Sequence, residues 1–340
     1  MRHPDSRTLL LVPLDGSSTA EEALPVAAAI AHRNDCHLHL AAVHEPLPAL
    51  RSLGEEVDVE LEEQRGAQLA DYLQWAANAV ATTHGVEASY TVLKGSPARA
   101  LAEHARSRHA SLIIMTTHGY SGVSRFWLGS VADQLLRRVG VPVLLLHPKH
   151  NGHAEFHHIL VAVDGSAEAE RVLETAVGFG ALMAEVRYSV LRVVEPPIPV
   201  ITRLALYPTP AAEASLAGQE SRATSYLETL THSLRERGIV VNTQVVAGRN
   251  VAERIEETAH SRGADLIVVG THGASGLERM MLGSVADKVI RGASQAVLVV
   301  PTTRVGAASL RPGEELAGGL NGGSGHGARD TPPVTSLSSR

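Results

Sequence analysis

Two blocks of sequence occur twice in this chain, and this repetition constrains the fold more than any other feature. Residues 117–133 and 271–287 are identical at 12 of 17 positions. A shorter block, Leu-Val-Pro-Leu-Asp-Gly-Ser at 11–17, recurs as Leu-Val-Ala-Val-Asp-Gly-Ser at 160–166. A repeat unit of about 150 residues has the size of a whole domain rather than of a solenoid repeat. We therefore predict two similar domains in tandem.

The repeat divides the chain of 340 residues into four segments. The prediction is a first domain at 1–149, a linker at 150–156, a second domain at 157–302 and a tail at 303–340. The tail is rich in Gly, Ser and Pro and has too little apolar content to form a core. We expect it to be disordered.

Short apolar runs alternate with helix-like stretches in both halves. The predicted strands are 8–14, 37–43, 86–93, 112–115 and 141–146, then 159–163, 186–193, 239–246, 266–269 and 296–300. The predicted helices are 21–32, 59–83, 97–108 and 131–139, then 168–183, 212–237, 251–261 and 285–291. Strands that are apolar at every position are typical of a parallel sheet covered on both faces. The pattern predicts an α/β fold with two tandem doubly wound domains, each a five-stranded parallel sheet with helices on both faces.

The final strand of each half, 141–146 and 296–300, would form an apolar sheet edge. Proteins rarely leave such an edge uncovered. We expect the two strands to lie against each other, which makes the chain an intramolecular pseudo-dimer. The sequence does not determine whether two chains associate further into a homodimer.

Composition excludes several classes of function. With 44% hydrophobic and 19% charged residues the chain is typical of a globular protein, and its net charge of −6 predicts no affinity for nucleic acid or an anionic membrane. No apolar run approaches the roughly 20 residues of a membrane span. Cys36 is the single cysteine, so no intramolecular disulfide can form. We expect a cytoplasmic protein.

Candidate binding residues fall where strands end. Asp15 and Asp164 directly follow the first strand of each half, and the duplicated Thr-His-Gly loops follow the fourth. Ligands of doubly wound sheets bind at such ends, where the winding reverses. Each loop leads through a Gly-Ser pair into a helix, whose unpaired N–H groups favour an anion such as phosphate. The alternative is that Ser130 and Ser284 are only helix N-caps, but capping constrains one position and does not explain twelve.

The spacing Gly270-x2-Gly273-x9-Gly283-Ser284 resembles the nucleotide-binding motif of the ATP-binding branch of the universal stress protein family, over nearly all of residues 7–301. The resemblance implies that ATP is the ligand, with the adenine on the backbone of Val193 and the nucleoside end near Asp164. It also implies that Gly270 and Gly273 line the ribose side and that phosphates lie on Gly283, Ser284 and Val285. The matching residues of the first half are Asp15, Val43, Gly119, Gly129, Ser130 and Val131. Single-domain relatives dimerise through their last strand, which implies the same pairing of strands here.

One position departs from this motif. Thr116 stands where the first motif glycine is expected, and a β-branched residue resists the positive φ that we predict for Gly270 at the matching position. Pro13 also removes a backbone donor at the same rim. We therefore expect the second site to bind nucleotide better than the first.

Other candidates carry less weight. His118 and His272 have no partner at a spacing that indicates acid–base catalysis, and Arg125 and Arg279 are as consistent with a solvated loop as with a phosphate contact. The linker histidines lack a framework that would fix a transition metal, and they are His147, His150, His153, His157 and His158. Asp15 and Asp164 are candidate ligands for Mg²⁺ accompanying the nucleotide. The alternative is that each is a turn residue in Asp-Gly-Ser, and the two roles are compatible.

The absence of catalytic motifs favours binding over turnover. None of the three lysines, Lys94, Lys149 and Lys288, follows a glycine as a Walker A loop requires, and the sequence identifies no base or cation for the γ-phosphate. The leading hypothesis is an ATP-binding, nonenzymatic stress-response regulator with unknown protein partners. A slow ATP hydrolase or nucleotidyl transferase using the same cleft, and a nucleotide-free interaction module, remain alternatives.

Overall fold

The structure is a computed structural model, and it describes residues 8–46, 55–117, 128–147, 155–196, 210–271 and 282–302. Strands and helices alternate through the first half. Its elements are β1 (Leu9–Pro13), α1 (Ser18–Glu21), α2 (Ala23–Asn34), β2 (His37–His44), α3 (Glu55–His84), β3 (Ala88–Lys94), α4 (Pro97–Ser107), β4 (Leu112–Thr116), α5 (Ser130–Leu136) and β5 (Val143–Leu146).

The second half repeats this order. Its elements are β6 (His158–Ala162), α6 (Ala169–Gly180), β7 (Arg187–Val194), α7 (Pro210–Glu236), β8 (Val241–Ala247), α8 (Val251–Arg262), β9 (Leu266–Gly270), α9 (Ser284–Gly292) and β10 (Ala296–Val300). Each predicted strand overlaps one of these strands. The helix predicted at 21–32 is divided, because Ser17 caps the short α1 by accepting a hydrogen bond from the amide of Ala20 and α2 then begins at Ala23. No helix within the described ranges has the length and apolar character needed to cross a bilayer.

All ten of these strands form one sheet in the order β3-β2-β1-β4-β5-β10-β9-β6-β7-β8. Within each half every strand pair is parallel. The predicted α/β fold is therefore confirmed, with the five parallel strands of each half joined into one continuous sheet. The winding reverses between β1 and β4 in the first half and between β6 and β9 in the second, which opens a crevice at the carboxyl ends of these strands.

The two halves meet edge to edge through their last strands. β5 and β10 pair in antiparallel orientation, with Val143 opposite Val299 and Leu145 opposite Val297. All residues of both strands are buried. The predicted pairing is confirmed, and its physical basis is that each strand covers the other's unpaired backbone groups.

Helices cover both faces of the sheet. One apolar cluster joins the strands to α2, α3, α6 and α7, and the other joins them to α4, α5, α8 and α9. β4 contributes Leu112 and Ile114 to the first cluster and Ile113 and Met115 to the second. This division explains why the strand is apolar at every position, since successive side chains point to opposite buried faces.

Candidate functional site

A cavity of about 530 Å³ lies at the carboxyl ends of β6, β7 and β9 in the second half. Six of the residues predicted from the sequence line it together, although they come from four separate stretches of the chain: Asp164, Val193, Gly270, Gly283, Ser284 and Val285. The winding reversal between β6 and β9 separates the loops that follow these two strands. The cavity is therefore a consequence of the topology, and the sequence prediction placed these residues at the same crevice.

The Asp164 side chain shapes the turn that follows β6. Its Oδ1 atom accepts a hydrogen bond of 3.0 Å from the amide of Ser166, and Gly165 between them has a φ of +85°. This is the geometry of an Asx turn, in which the aspartate side chain satisfies the backbone two residues later. The turn holds the carboxylate at the wall of the cavity, so the structural role and a ligand-binding role are compatible.

The start of α9 supplies backbone donors to the cavity. Gly283 is the N-cap residue, and its amide donates a hydrogen bond of 2.7 Å to the carbonyl of Thr271. The amide of Asp287 donates to the carbonyl of Gly283, so the amides of Ser284, Val285 and Ala286 have no partner within the helix. All three residues line the cavity. The site therefore presents unpaired N–H groups and the positive end of a helix dipole.

The alternative in which Ser284 is the N-cap of its helix is wrong. The helix begins at Ser284 itself, one residue earlier than predicted, and Gly283 takes the N-cap position with a φ of −59° and a ψ of 145°. Gly129 and Ser130 repeat this arrangement at the start of α5. The reason is that the hydrogen bond from the glycine amide to the preceding threonine carbonyl places glycine, not serine, where the helix is entered. Both serines are exposed residues at the mouth of their cavity, and neither hydroxyl caps its helix.

A smaller cavity of about 330 Å³ occupies the matching place in the first half. It brings together five predicted residues: Asp15, Val43, Gly129, Ser130 and Val131. Asp15 Oδ1 accepts hydrogen bonds from the amide and the hydroxyl of Ser17, at 3.0 Å and 2.5 Å. The amide of Gly129 donates to the carbonyl of Thr117 at 2.8 Å. The backbone of the two sites is thus nearly the same.

Sequence comparison agrees with this duplication. The family model of the universal stress protein family matches residues 8–147 and again residues 155–301. The chain belongs to the universal stress protein family. A universal stress protein of Mycobacterium tuberculosis is 28% identical over 248 residues, which cover 70% of this chain and 77% of that protein. One from Mycolicibacterium smegmatis is 27% identical over 299 residues, or 86% of this chain and 96% of its own length.

The fold is also that of a solved universal stress protein. The crystal structure of one from Archaeoglobus fulgidus superposes with a TM-score of 0.61, covers 86% of this chain and 96% of its own, and is 20% identical. At that identity the match establishes the fold alone. Universal stress proteins are generally not classical enzymes.

The first reason given for a weaker first site, the backbone conformation at Thr116, is wrong. Gly270 is the last residue of β9, paired with Val300, and it is not among the described glycines with positive φ. Thr116 is likewise the last residue of β4, paired with Leu146, in a strand that suits a β-branched residue. The two positions therefore differ in side chain and not in backbone. Thr116 lines the first cavity and occupies space that Gly270 leaves open in the second.

Sequence analysis also missed two arginines. Arg192 and Arg222 line the second cavity, whereas we had identified no cation for it. Arg192 lies in β7 between Leu191 and Val193, on the face that turns towards α7. The available signal was a charged residue in the middle of the run Val190–Val194, which is apolar at its other positions, one position before a predicted binding residue. No basic side chain is among the described residues that line the first cavity.

Several candidate residues from the sequence analysis are not part of either cavity as the structure describes it. Gly119, Gly273, His118, His272, Arg125 and Arg279 lie outside the described residues, as do the tail and most of the linker. His158, predicted as part of a polar cluster near the linker, instead begins β6. It is buried, with Nε2 at 2.8 Å from the Ser189 hydroxyl and Nδ1 at 3.1 Å from the carbonyl of Arg262. Within the described ranges, no group of three or more His, Cys, Asp or Glu side chains is arranged to hold a metal ion.

Proposed function

We propose that this protein binds an adenine nucleotide, with ATP as the expected ligand, and acts as a nucleotide-dependent regulator in the stress response. The observation that carries the proposal is the start of α9. Three amides without partners in the helix, those of Ser284, Val285 and Ala286, line the same cavity as Asp164 and Val193. Amides at a helix start suit phosphate, and a cavity of about 530 Å³ is within the usual range for small-molecule sites.

The proposed pose follows the walls of the second cavity. The adenine lies at the end of β7 on the backbone of Val193, the nucleoside end is near Asp164 and Gly270, and the phosphates lie on Ser284 and Val285. Gly283 bounds the phosphate end of the cavity, where a side chain would block the approach of phosphate to these amides. We propose the same pose in the first cavity on Asp15, Val43, Gly129, Ser130 and Val131, with lower affinity because that cavity is smaller.

A magnesium ion would be held mainly by the nucleotide. Asp15 and Asp164 are the carboxylates that line the two cavities at the turn, and hard oxygen ligands suit Mg²⁺. Each of them shares its Oδ1 atom with the turn, as described above. We propose the cytoplasm as the compartment, since Cys36 is a buried free thiol and ATP is available there.

A second candidate is slow ATP hydrolysis in the same cavity. The observation in its favour is the pair of arginines, because positive charge near transferred phosphate stabilises the transition state. Glu168 and Glu195 also line the cavity and are the carboxylates available to orient a water molecule. The two functions use the same binding mode and differ only in turnover.

Two measurements on the purified full chain separate these functions. Calorimetric titration with ATP should show saturable binding, and nucleotide extracted from the protein should contain adenine. A phosphate-release assay should show no turnover above the rate of a buffer control. Release that disappears in an Arg192→Ala variant would establish the hydrolase instead. Absence of both bound nucleotide and titration heat would leave an interaction module without nucleotide.

A further inference from the structure

The Arg192 guanidinium packs against two neighbours. Its Cζ atom lies 5.1 Å from the centre of the Tyr226 ring, which is a cation–π arrangement. It also lies against Gly165, where an added Cβ atom would come within 2.8 Å of Cζ and Nη2 and 3.0 Å of Nη1. These two contacts fix the guanidinium at the wall of the cavity that Arg192 lines.

No carboxylate within the described ranges forms a salt bridge with Arg192. Asp164, Glu168 and Glu195 all line the same cavity, so acidic groups are near but the guanidinium is not paired with them. A half-buried guanidinium with a fixed orientation loses little entropy when it binds. Its fork of N–H groups matches the oxygens of a phosphate group, which it binds with two parallel hydrogen bonds.

The first half lacks this arrangement. Ala41 pairs with Pro13 in β1, and Leu191 pairs with Ala162 in β6, so the next residues, Ala42 and Arg192, occupy matching places. The tyrosine on the long helix also behaves differently. Tyr72 donates its hydroxyl hydrogen bond to Glu21 at 3.0 Å. The buried hydroxyl of Tyr226 has no hydrogen-bond partner in the described part of the chain, and its ring packs against Arg192 instead.

We propose that Arg192 determines the ligand specificity of the second cavity by donating paired hydrogen bonds to a phosphate group of the nucleotide. The second cavity then selects phosphorylated nucleotides over the free nucleoside, whereas the first cavity, with Ala42, selects much less strongly. Gly165 and Tyr226 are positioning residues that hold the guanidinium in place. This inference rests on the proposed function, because it assumes a nucleotide in this cavity.

The direct test compares Arg192→Ala and Arg192→Lys with the wild type by calorimetric titration of ATP, AMP and adenosine. Loss of a paired, charge-assisted interaction should weaken ATP binding by about ten- to a hundredfold in the alanine variant. The lysine variant should recover part of that loss, since it keeps the charge without the planar fork. Adenosine affinity should change less than twofold.

The outcomes separate this inference from the proposed function. A wild type that binds neither ATP nor adenosine contradicts the proposed function itself. A wild type that binds ATP as tightly as Arg192→Ala contradicts only the role of Arg192. Equal losses for ATP and adenosine also contradict it, because Arg192 would then contact the base or merely shape the wall.

A second pair of variants tests the positioning without removing the charge. Gly165 and Gly16 have φ values of +85° and +80°, so alanine strains both turns alike. At Gly16 an added Cβ atom meets nothing within 4 Å, whereas at Gly165 it collides with the guanidinium. Gly165→Ala should therefore weaken ATP binding about as much as Arg192→Ala, and the double variant should lose little more. A similar loss of ATP binding in Gly16→Ala would attribute the effect to turn strain and overturn the positioning role.

Discussion

The two cavities share their backbone but differ in the side chains that line it. Each is bounded by an Asx turn after the first strand, by the end of the second strand and by a glycine-capped helix. Yet the second measures about 530 Å³ and has two arginines, whereas the first measures about 330 Å³ and has no basic residue among its described lining. The features that would bind any phosphate are duplicated, and the features that would select a ligand are not.

The comparison separates the part of the site that the two halves share from the part that is particular to each half. The shared part consists of the backbone amides at the helix start and of the Asx turn. Backbone groups of this kind are kept when side chains elsewhere in the domain change. Besides Arg222, the differences include two matched pairs of residues: Ala42 against Arg192, and Thr116 against Gly270. Substitutions at the helix start therefore test what the two cavities share, and substitutions at these matched positions test what makes them differ.

The largest effect is expected from a side chain at the N-cap glycine. Gly283→Val should weaken ATP binding at the tighter site by a hundredfold or more, because the added side chain keeps phosphate from the amides of Ser284 and Val285. Two charge-assisted hydrogen bonds at about 1.5–3 kcal/mol each account for a loss of this size. Gly283 has a φ of −59°, so valine adds no left-handed strain. Titration calorimetry with ATP measures the change.

Gly129→Val is the matched control, since Gly129 has a nearly identical backbone with a φ of −56°. It should abolish the weaker binding event and leave the tighter one in place. If both variants reduce the tighter event equally, the two cavities do not act separately, and the assignment of the tighter site to the second half is wrong.

A difference in acid stability should also separate the halves. His39 on β2 is buried, and its ring contacts Ser89 Oγ at 2.6 Å and His104 Nε2 at 3.0 Å. Burial, and then the nearby His104, Arg108 and His37, lower the pKa of His39 from 6.5 to about 4. The folded chain then keeps His39 neutral while the unfolded chain takes up a proton. Stability should fall by about 1 to 3 kcal/mol as the pH drops from 6.5 to 4.

The residue that matches His39 in the second half is Ser189, which does not titrate in this range. Burial also lowers the pKa of His158, which contacts Ser189, so the second half has an acid-sensitive histidine of its own, and the test is the change of slope on replacing His39. Urea denaturation at several pH values should show that His39→Gln flattens the loss of stability between pH 6.5 and pH 4. His260→Gln, at an exposed position on α8, serves as the control and should leave the slope unchanged. Equal slopes in wild type and His39→Gln would show that other groups cause the acid sensitivity.

Much of the fold could be predicted because its signals are local or repeated. Strands such as β4 and β9 are apolar on both faces, and the duplicated blocks fix the order of elements in both halves. The pairing of β5 with β10 followed from the cost of leaving an apolar edge bare. Most of the site residues could also be placed, since the topology brings the ends of β6, β7 and β9 together.

The remaining features depend on geometry that a sequence does not display. Whether Gly283 or Ser284 caps α9 depends on one backbone hydrogen bond to Thr271, which is formed across the loop. The φ of Gly270 depends on how far β9 continues along β10. Arg192 was overlooked because a strand position alone does not tell which neighbour its side chain meets across the sheet.

An exchange at the ends of β4 and β9 tests the effect of cavity size. Thr116→Gly should raise the ATP affinity of the first cavity by up to about tenfold, since it clears the wall there, and Gly270→Thr should lower that of the second by a similar factor. Glycine in a strand costs about 0.5–1 kcal/mol of stability, so a thermal melt must accompany each titration. Unchanged affinity in both variants would leave the arginines as the whole difference between the cavities.

The smallest effect is expected at the junction of the halves. Arg291 bonds to Asp287 of its own helix at 2.9 Å and reaches Asp133 of the other half at 3.6 Å, and its side chain is 31% exposed. A partly exposed pair of this kind contributes less than about 1 kcal/mol, so Arg291→Ala should lower the free energy of unfolding only slightly, and less so in high salt.

Arg137→Ala is its counterpart in the first half, because Arg137, the residue that follows α5, bonds to Asp133 at 2.9 Å and interacts with Asp287 of the other half only through longer-range electrostatics. In both variants urea denaturation should remain a single transition, since the halves are held together by the buried pairing of β5 and β10. Two separate transitions in Arg291→Ala would mean that charge joins the halves. In that case the two halves would unfold separately. A difference in domain stability would then contribute to any difference in ATP affinity between the cavities, beside the side chains that line them.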